Sequence, residues 1–64
     1  MTASERVELM MQFEDGYIKN DDVDKLFQDL VDTGLVWQLQ GFYGRYAEQL
    51  ISEGRVKAKN ESKN

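Results

Sequence analysis

Asp21-Asp22-Val23-Asp24-Lys25-Leu26-Phe27-Gln28-Asp29-Leu30-Val31-Asp32-Thr33-Gly34 decides the fold. Val23, Leu26, Phe27, Leu30 and Val31 recur at steps of three, one, three and one, which places all five on one face of a helix and leaves the acids on the other. Asn20, Asp21 and Asp22 supply short polar side chains and two charges suited to a helix N-terminus. Thr33-Gly34 ends the run, with Leu35 placed for the apolar contact that accompanies a glycine cap. The spacing predicts a helix over 21–33.

Weaker helical patterns lie on both sides. Upstream, Thr2 and Glu5 have the spacing of a capping box, Ser4 is a second candidate cap, and Val7, Met10, Met11 and Phe13 form an approximate stripe. That helix should span about 4–15 and close at Gly16, with Tyr17 and Ile18 folding back onto the stripe. Downstream, Leu35 to Gly41 mixes strand-favouring Val36 and Trp37 with too little length for a sheet, and reads as a helical turn or compact connector. A third helix over about 42–53 carries Tyr43, Tyr46, Ala47, Leu50 and Ile51, closed by Gly54 and followed by Val56. The expected fold is all-α: one three-helix domain over 1–54 with a connector at 35–41, then a disordered basic tail over 55–64.

Composition narrows the chemistry. A 64-residue chain buries only ~60% of its unfolded surface, so small domains commonly need a staple or a partner. The chain has no cysteine and no histidine, which excludes a disulfide framework, a Cys/His zinc site, a thiol nucleophile and a Ser-His-Asp triad. Phe13 to Asp22 places Gly16, Ile18 and Asp22 at the sixth, eighth and twelfth positions of a calcium loop, but Met11 and Phe13 stand where oxygen ligands are required. Asp21, Asp22, Asp24, Asp29 and Asp32 occupy the cap and polar face of an exposed helix, where nothing shifts one carboxyl for acid–base work. Gly41-Phe42-Tyr43-Gly44-Arg45 lacks the Gly-Lys-Ser/Thr ending of a phosphate loop. No enzyme, metal or cofactor is expected.

The net charge of -4 hides a division. Residues 1–54 hold four basic and eleven acidic side chains, a charge of −7, whereas 55–64 hold four basic and one acidic, a charge of +3. An acidic body disfavours phosphate backbones and favours basic protein surfaces. No apolar run reaches the ~20 residues of a membrane span, and the first residues lack a signal-peptide pattern, so a cytoplasmic protein is expected.

The densest group of recognition-type residues is Trp37-Gln38-Leu39-Gln40-Gly41-Phe42-Tyr43-Gly44-Arg45-Tyr46. Trp, Tyr and Arg dominate binding hot spots because they desolvate large areas while keeping a polar handle. Trp37, Gln38, Gln40, Phe42, Tyr43 and Arg45 are therefore candidate contacts for a partner or ligand. In so small a domain Trp37, Leu39, Tyr43 and Tyr46 are expected to be mainly core, leaving Gln38, Gln40, Phe42 and Arg45 for the surface. Gly16, Gly34, Gly41, Gly44 and Gly54 are structural candidates, with Gly41 and Gly44 spaced to let one helix approach another closely.

Leu26-Phe27-Gln28-Asp29-Leu30-Val31-Asp32-Thr33-Gly34 continuing through Trp37-Gln38-Leu39-Gln40-Gly41 and Tyr43-Gly44-Arg45, then Ala47, Leu50-Ile51 and Gly54, resembles an uncharacterised family of small proteins encoded by tailed bacteriophages. That family's pattern is LFQxLIDTGxxWQLQGxYGR. The match covers about half of the chain. Two positions depart from it: Val31 stands for isoleucine, and Tyr46 stands where a small residue is commoner, which alters what packs beside Arg45. The resemblance implies a phage accessory protein made in a bacterial cytoplasm, supplies no activity, and gives Gln38, Gln40, Gly41, Tyr43, Gly44 and Arg45 a significance beyond packing.

The leading expectation is a non-enzymatic protein that binds and modulates a host or phage protein, in an anti-defence or regulatory role. A second reading is a helix-turn-helix regulator in which Arg45 and Gln49 reach base edges. The long joint and the acidic body oppose nucleic acid as a partner. A third is a dimer that sequesters an anionic or nucleotide-like ligand against Gln38, Gln40 and Arg45. Self-association as a homodimer is expected because few core positions stand against roughly 1.5 kcal/mol of entropy per ordered residue. Phe42, Tyr43 or Met10 and Met11 would be shared across the two-fold.

Overall fold

The computed structural model describes residues 1–58. Three helices, α1 (Ala3–Asp15), α2 (Asn20–Thr33) and α3 (Gly41–Ser52), pack around one core, and a single 3-10 turn (Leu35–Gln38) joins the last two. This is the expected all-α, three-helix architecture.

α2 is the central element. Val23, Leu26, Phe27, Leu30 and Val31 are all buried, as their spacing requires. They meet Tyr43, Ala47 and Leu50 of α3, together with Val36 and Val56. α2 starts after Lys19 with no side-chain cap, so Asp21 and Asp22 act from the first turn on the helix dipole rather than as caps.

α1 begins as its sequence predicts. Thr2 Oγ1 accepts from the Glu5 N–H at 3.2 Å, and Glu5 Oε1 accepts from the Thr2 N–H at 2.9 Å. These reciprocal bonds hold the Glu5 carboxyl below its ordinary 4.5, the Thr2 backbone N–H being the main cause. Its packing differs from the expected stripe. Leu9, Met10 and Phe13 lean on the core, while Val7 and Met11 are 56% and 59% exposed. Of the two residues after Gly16, Ile18 packs on the core and Tyr17 is exposed. Two polar links add to the attachment of α1: Arg6 Nε donates to Asp29 Oδ2 at 2.6 Å, and the Tyr43 hydroxyl donates to Glu14 Oε2 at 2.7 Å.

The end of α3 corrects the expected start of the tail. Gly54, at φ 80°, turns the chain where a side chain would be strained, and Arg55 N–H donates to the Leu50 carbonyl at 2.9 Å. That reversal buries Val56 to 2% exposure. Lys57 then exchanges two hydrogen bonds with the Gln28 side chain, at 2.9 and 3.0 Å, and Arg55 Nη2 lies 2.9 Å from Asp24 Oδ1. Residues 55–57 are thus part of the packed domain, because an apolar Val56 between two polar partners finds a site along α2. The rest of the expected tail, from 59 on, lies outside the described residues.

Candidate functional site

The 37–46 region divides between core and surface along lines that local geometry explains. Gly34, at φ 80°, closes α2, and the 3-10 turn that follows has about three residues per turn. With Leu35 leaning on the core, the turn sends Val36 inward and Trp37 outward. Val36 is 1% exposed and Trp37 is 54% exposed. The expectation that Trp37 is mainly core is therefore corrected: the connector buries its smaller β-branched residue instead. The indole lies over α3 at Gly44, where an added Cβ would meet ring atoms at 3.5 Å.

α3 then sorts its own residues. Tyr43, Ala47 and Leu50 point to the core, so Tyr43, at 2% exposure, is not available as a partner contact or as a shared residue at a two-fold. Burial, followed by the hydrogen bond to Glu14, pushes the Tyr43 phenol well above its ordinary 10.0. Tyr46 is half-buried, with its ring centroid 5.2 Å from Phe13 and 5.1 Å from Phe27. Leu39 leans on the core likewise. Phe42 is 41% exposed and stacks on Tyr43 at 4.6 Å.

Gln38, Gln40 and Arg45 are exposed, as expected. On a helix advancing 100° per residue, Phe42, Arg45, Gly41 and Gly44 span an arc of about 160° opposite the core positions. The outer face of α3 thus carries Phe42 on one flank, Arg45 in the middle and the Trp37 ring on the other flank. Gln38 and Gln40 stand at its N-terminal end. Among the described residues Arg45 has no ion-pair partner, whereas Arg6 pairs with Asp29 and Arg55 with both Asp24 and Glu53. An exposed guanidinium between two aromatic rings can donate to a carboxylate while the rings lose water, a combination common at protein contacts.

The glycines also separate. Gly16, Gly34 and Gly54 take positive φ, as structural positions should. Gly41 faces open space and Gly44 meets only the Trp37 ring, so neither serves the close helix-to-helix approach expected of the pair. The helix-turn-helix pair Arg45 and Gln49 shares the exposed side of α3, but Gln49 Nε2 donates to Glu53 at 3.2 Å, and Glu48 stands beside it. A groove between α1 and α2 and a shallow depression on α1 are both lined without Gln38, Gln40 or Arg45. Among the described residues, no three His, Cys, Asp or Glu side chains converge, and no helix is long and apolar enough to cross a membrane.

Spacing within the sequence missed three long-range features: the Glu14–Tyr43 bond, the Arg6–Asp29 pair and the docking of Lys57 on Gln28. Each joins residues more than twenty positions apart. The only available signal was complementary chemistry.

Fold and surface together define a small all-α domain that displays an aromatic and arginine-bearing helix face. The chain belongs to the family described as Domain of unknown function (DUF7417), which matches residues 4–63. No curated protein and no solved structure matches the chain.

Proposed function

We propose that this chain is a non-enzymatic bacteriophage accessory protein of the bacterial cytoplasm that binds and modulates a host or phage protein, in an anti-defence or regulatory role. The observation that carries the reading is the placement of Trp37, 54% exposed and laid over Gly44, beside exposed Phe42 and an Arg45 with no ion-pair partner among the described residues. A marginal domain gains more from burying its largest side chain than from displaying it. The display is therefore consistent with a partner that completes the burial.

The phage origin rests on the resemblance of the LFQ…WQLQG…YGR run, and the absence of catalytic equipment from the sequence favours binding over chemistry. Gln38 and Gln40 supply hydrogen bonds at the rim of the contact, and Arg45 supplies its charged centre. A homodimer would use the same face through Phe42.

The test is capture of partners from infected-cell lysate with crosslinking, comparing wild type with Trp37→Ala and Arg45→Ala. The reading expects one dominant protein whose recovery falls at least about tenfold with either substitution. Equal recovery by all three proteins would contradict it. Light scattering on the purified chain separates a self-pairing face from a free one.

A further inference from the structure

We infer that the solvent face of α1 is a second docking surface, distinct from the α3 face, and that its occupant is a basic amphipathic helix of a protein partner. Val7 and Met11, one turn apart and more than half exposed, form an apolar ridge, and Ala3, Ser4 and Glu8 complete the shallow depression around it. Immediately across Glu8 runs the groove between α1 and α2, floored in part by Met1 and Leu9 and edged by carboxylates. Three of those acids are already engaged: Glu5 in the cap, Asp29 with Arg6 and Asp24 with Arg55. Glu8, Asp22 and Asp32 have no cationic partner among the described residues.

Lys25 and Arg55 also line the groove, but six carboxylates outnumber them, and an apolar ridge beside a net-acidic groove matches a helix whose apolar residues, at i and i+4, cover Val7 and Met11 while lysines or arginines reach over Glu8. Charge decides against a second copy as the occupant. α1 has one basic residue, Arg6, and it is turned to Asp29, so two α1 faces would oppose Glu8, Glu14 and Asp15 with their own like charges. A nucleic acid is disfavoured by the same carboxylates.

The probe is a synthetic helical peptide of leucines at i and i+4 among lysines, titrated into the full chain by NMR and by fluorescence anisotropy. Chemical-shift changes should cluster at residues 4–12 and 22–32. Glu8→Lys and Val7→Ser should each weaken binding at least about tenfold, whereas Glu48→Lys, the same charge change on α3, should weaken it less than about twofold. Circular dichroism confirms that each variant remains helical. The inference is overturned if Glu48→Lys weakens binding as much as Glu8→Lys, if a peptide of equal charge without the leucine pair binds equally well, or if no shifts appear. Shifts centred on Trp37 would also overturn it while leaving the proposed role of the α3 face standing. Trp37→Ala should leave this titration unchanged.

Discussion

α1 and α2 have similar lengths, 13 and 14 residues, and both carry apolar residues at helical spacing, yet they are built into the molecule differently. α2 commits five side chains to full burial. α1 has no fully buried side chain and is held by partial packing of Leu9, Met10 and Phe13 plus two polar links. The contrast follows from angular spread. The apolar residues of α2 fall in one sector, whereas those of α1, from Leu9 through Phe13 and Met10 to Val7 and Met11, span about 200°. One neighbour cannot cover so wide an arc, so part of it faces water. A regular apolar pattern therefore identifies a helix more securely than it identifies which side is buried.

The sharpest way to break the comparison is to empty the α2 face. Phe27→Ala should cost about 3–5 kcal/mol, enough to leave a domain of this size largely unfolded in a thermal melt followed by circular dichroism. Met11→Ala on α1 should stay within about 0.5 kcal/mol. Equal losses would show that α1 is as deeply packed as α2.

Next in size is the exchange within the 3-10 turn. Val36→Ala should cost about 2 kcal/mol in urea titration through lost burial, and Trp37→Ala no more than about 1, despite removing a far larger side chain. The reverse ranking would place the indole in the core.

The Tyr43–Glu14 bond contributes less. Tyr43→Phe keeps the ring in place and should cost about 1 kcal/mol. Because the folded phenol ionises well above its ordinary 10.0, its contribution to stability is complete below pH 10 and is lost as the pH rises toward the higher folded value. Alkaline unfolding should therefore be steeper in wild type than in Tyr43→Phe, read by circular dichroism across pH 9–12. Identical profiles would contradict the assignment.

The smallest effect belongs to the capping box. The folded Glu5 carboxyl is held below 4.5, so its contribution is present above that value and disappears as the pH falls through the lower folded one. Glu5→Gln should flatten the acid limb of stability between pH 5 and 3, and amide exchange at Glu5 and Arg6 should quicken.

The outline of α2, the cap on α1 and the glycine stops were legible because each depends on residues within four positions of one another. The α1 boundaries were legible for the same reason, but its orientation was not, since Val7 and Leu9 compete for the core with nothing local to choose between them. Within the candidate site, exposure of Gln38, Gln40 and Arg45 followed from their types, and that of Phe42 from its place off the α3 stripe. Burial of Tyr43 followed from its place on the α3 stripe, whereas the exposure of Trp37 did not, because a 3-10 turn and an α-helix advance by different angles and no local signal marks where one gives way to the other. Val56 fell within the expected tail, and its burial, like the docking of Lys57 on Gln28, needed the tertiary fold.

Trp37 is the chain's one tryptophan, so its fluorescence reports on the residue that carries the functional reading. With the indole half exposed, acrylamide should quench the native protein with a slope that is a substantial fraction of that in denaturant, and emission should shift only modestly to the red on unfolding. Native emission that is strongly blue-shifted and resistant to quenching in the monomeric protein would place Trp37 in the core and remove the surface on which the proposed function rests.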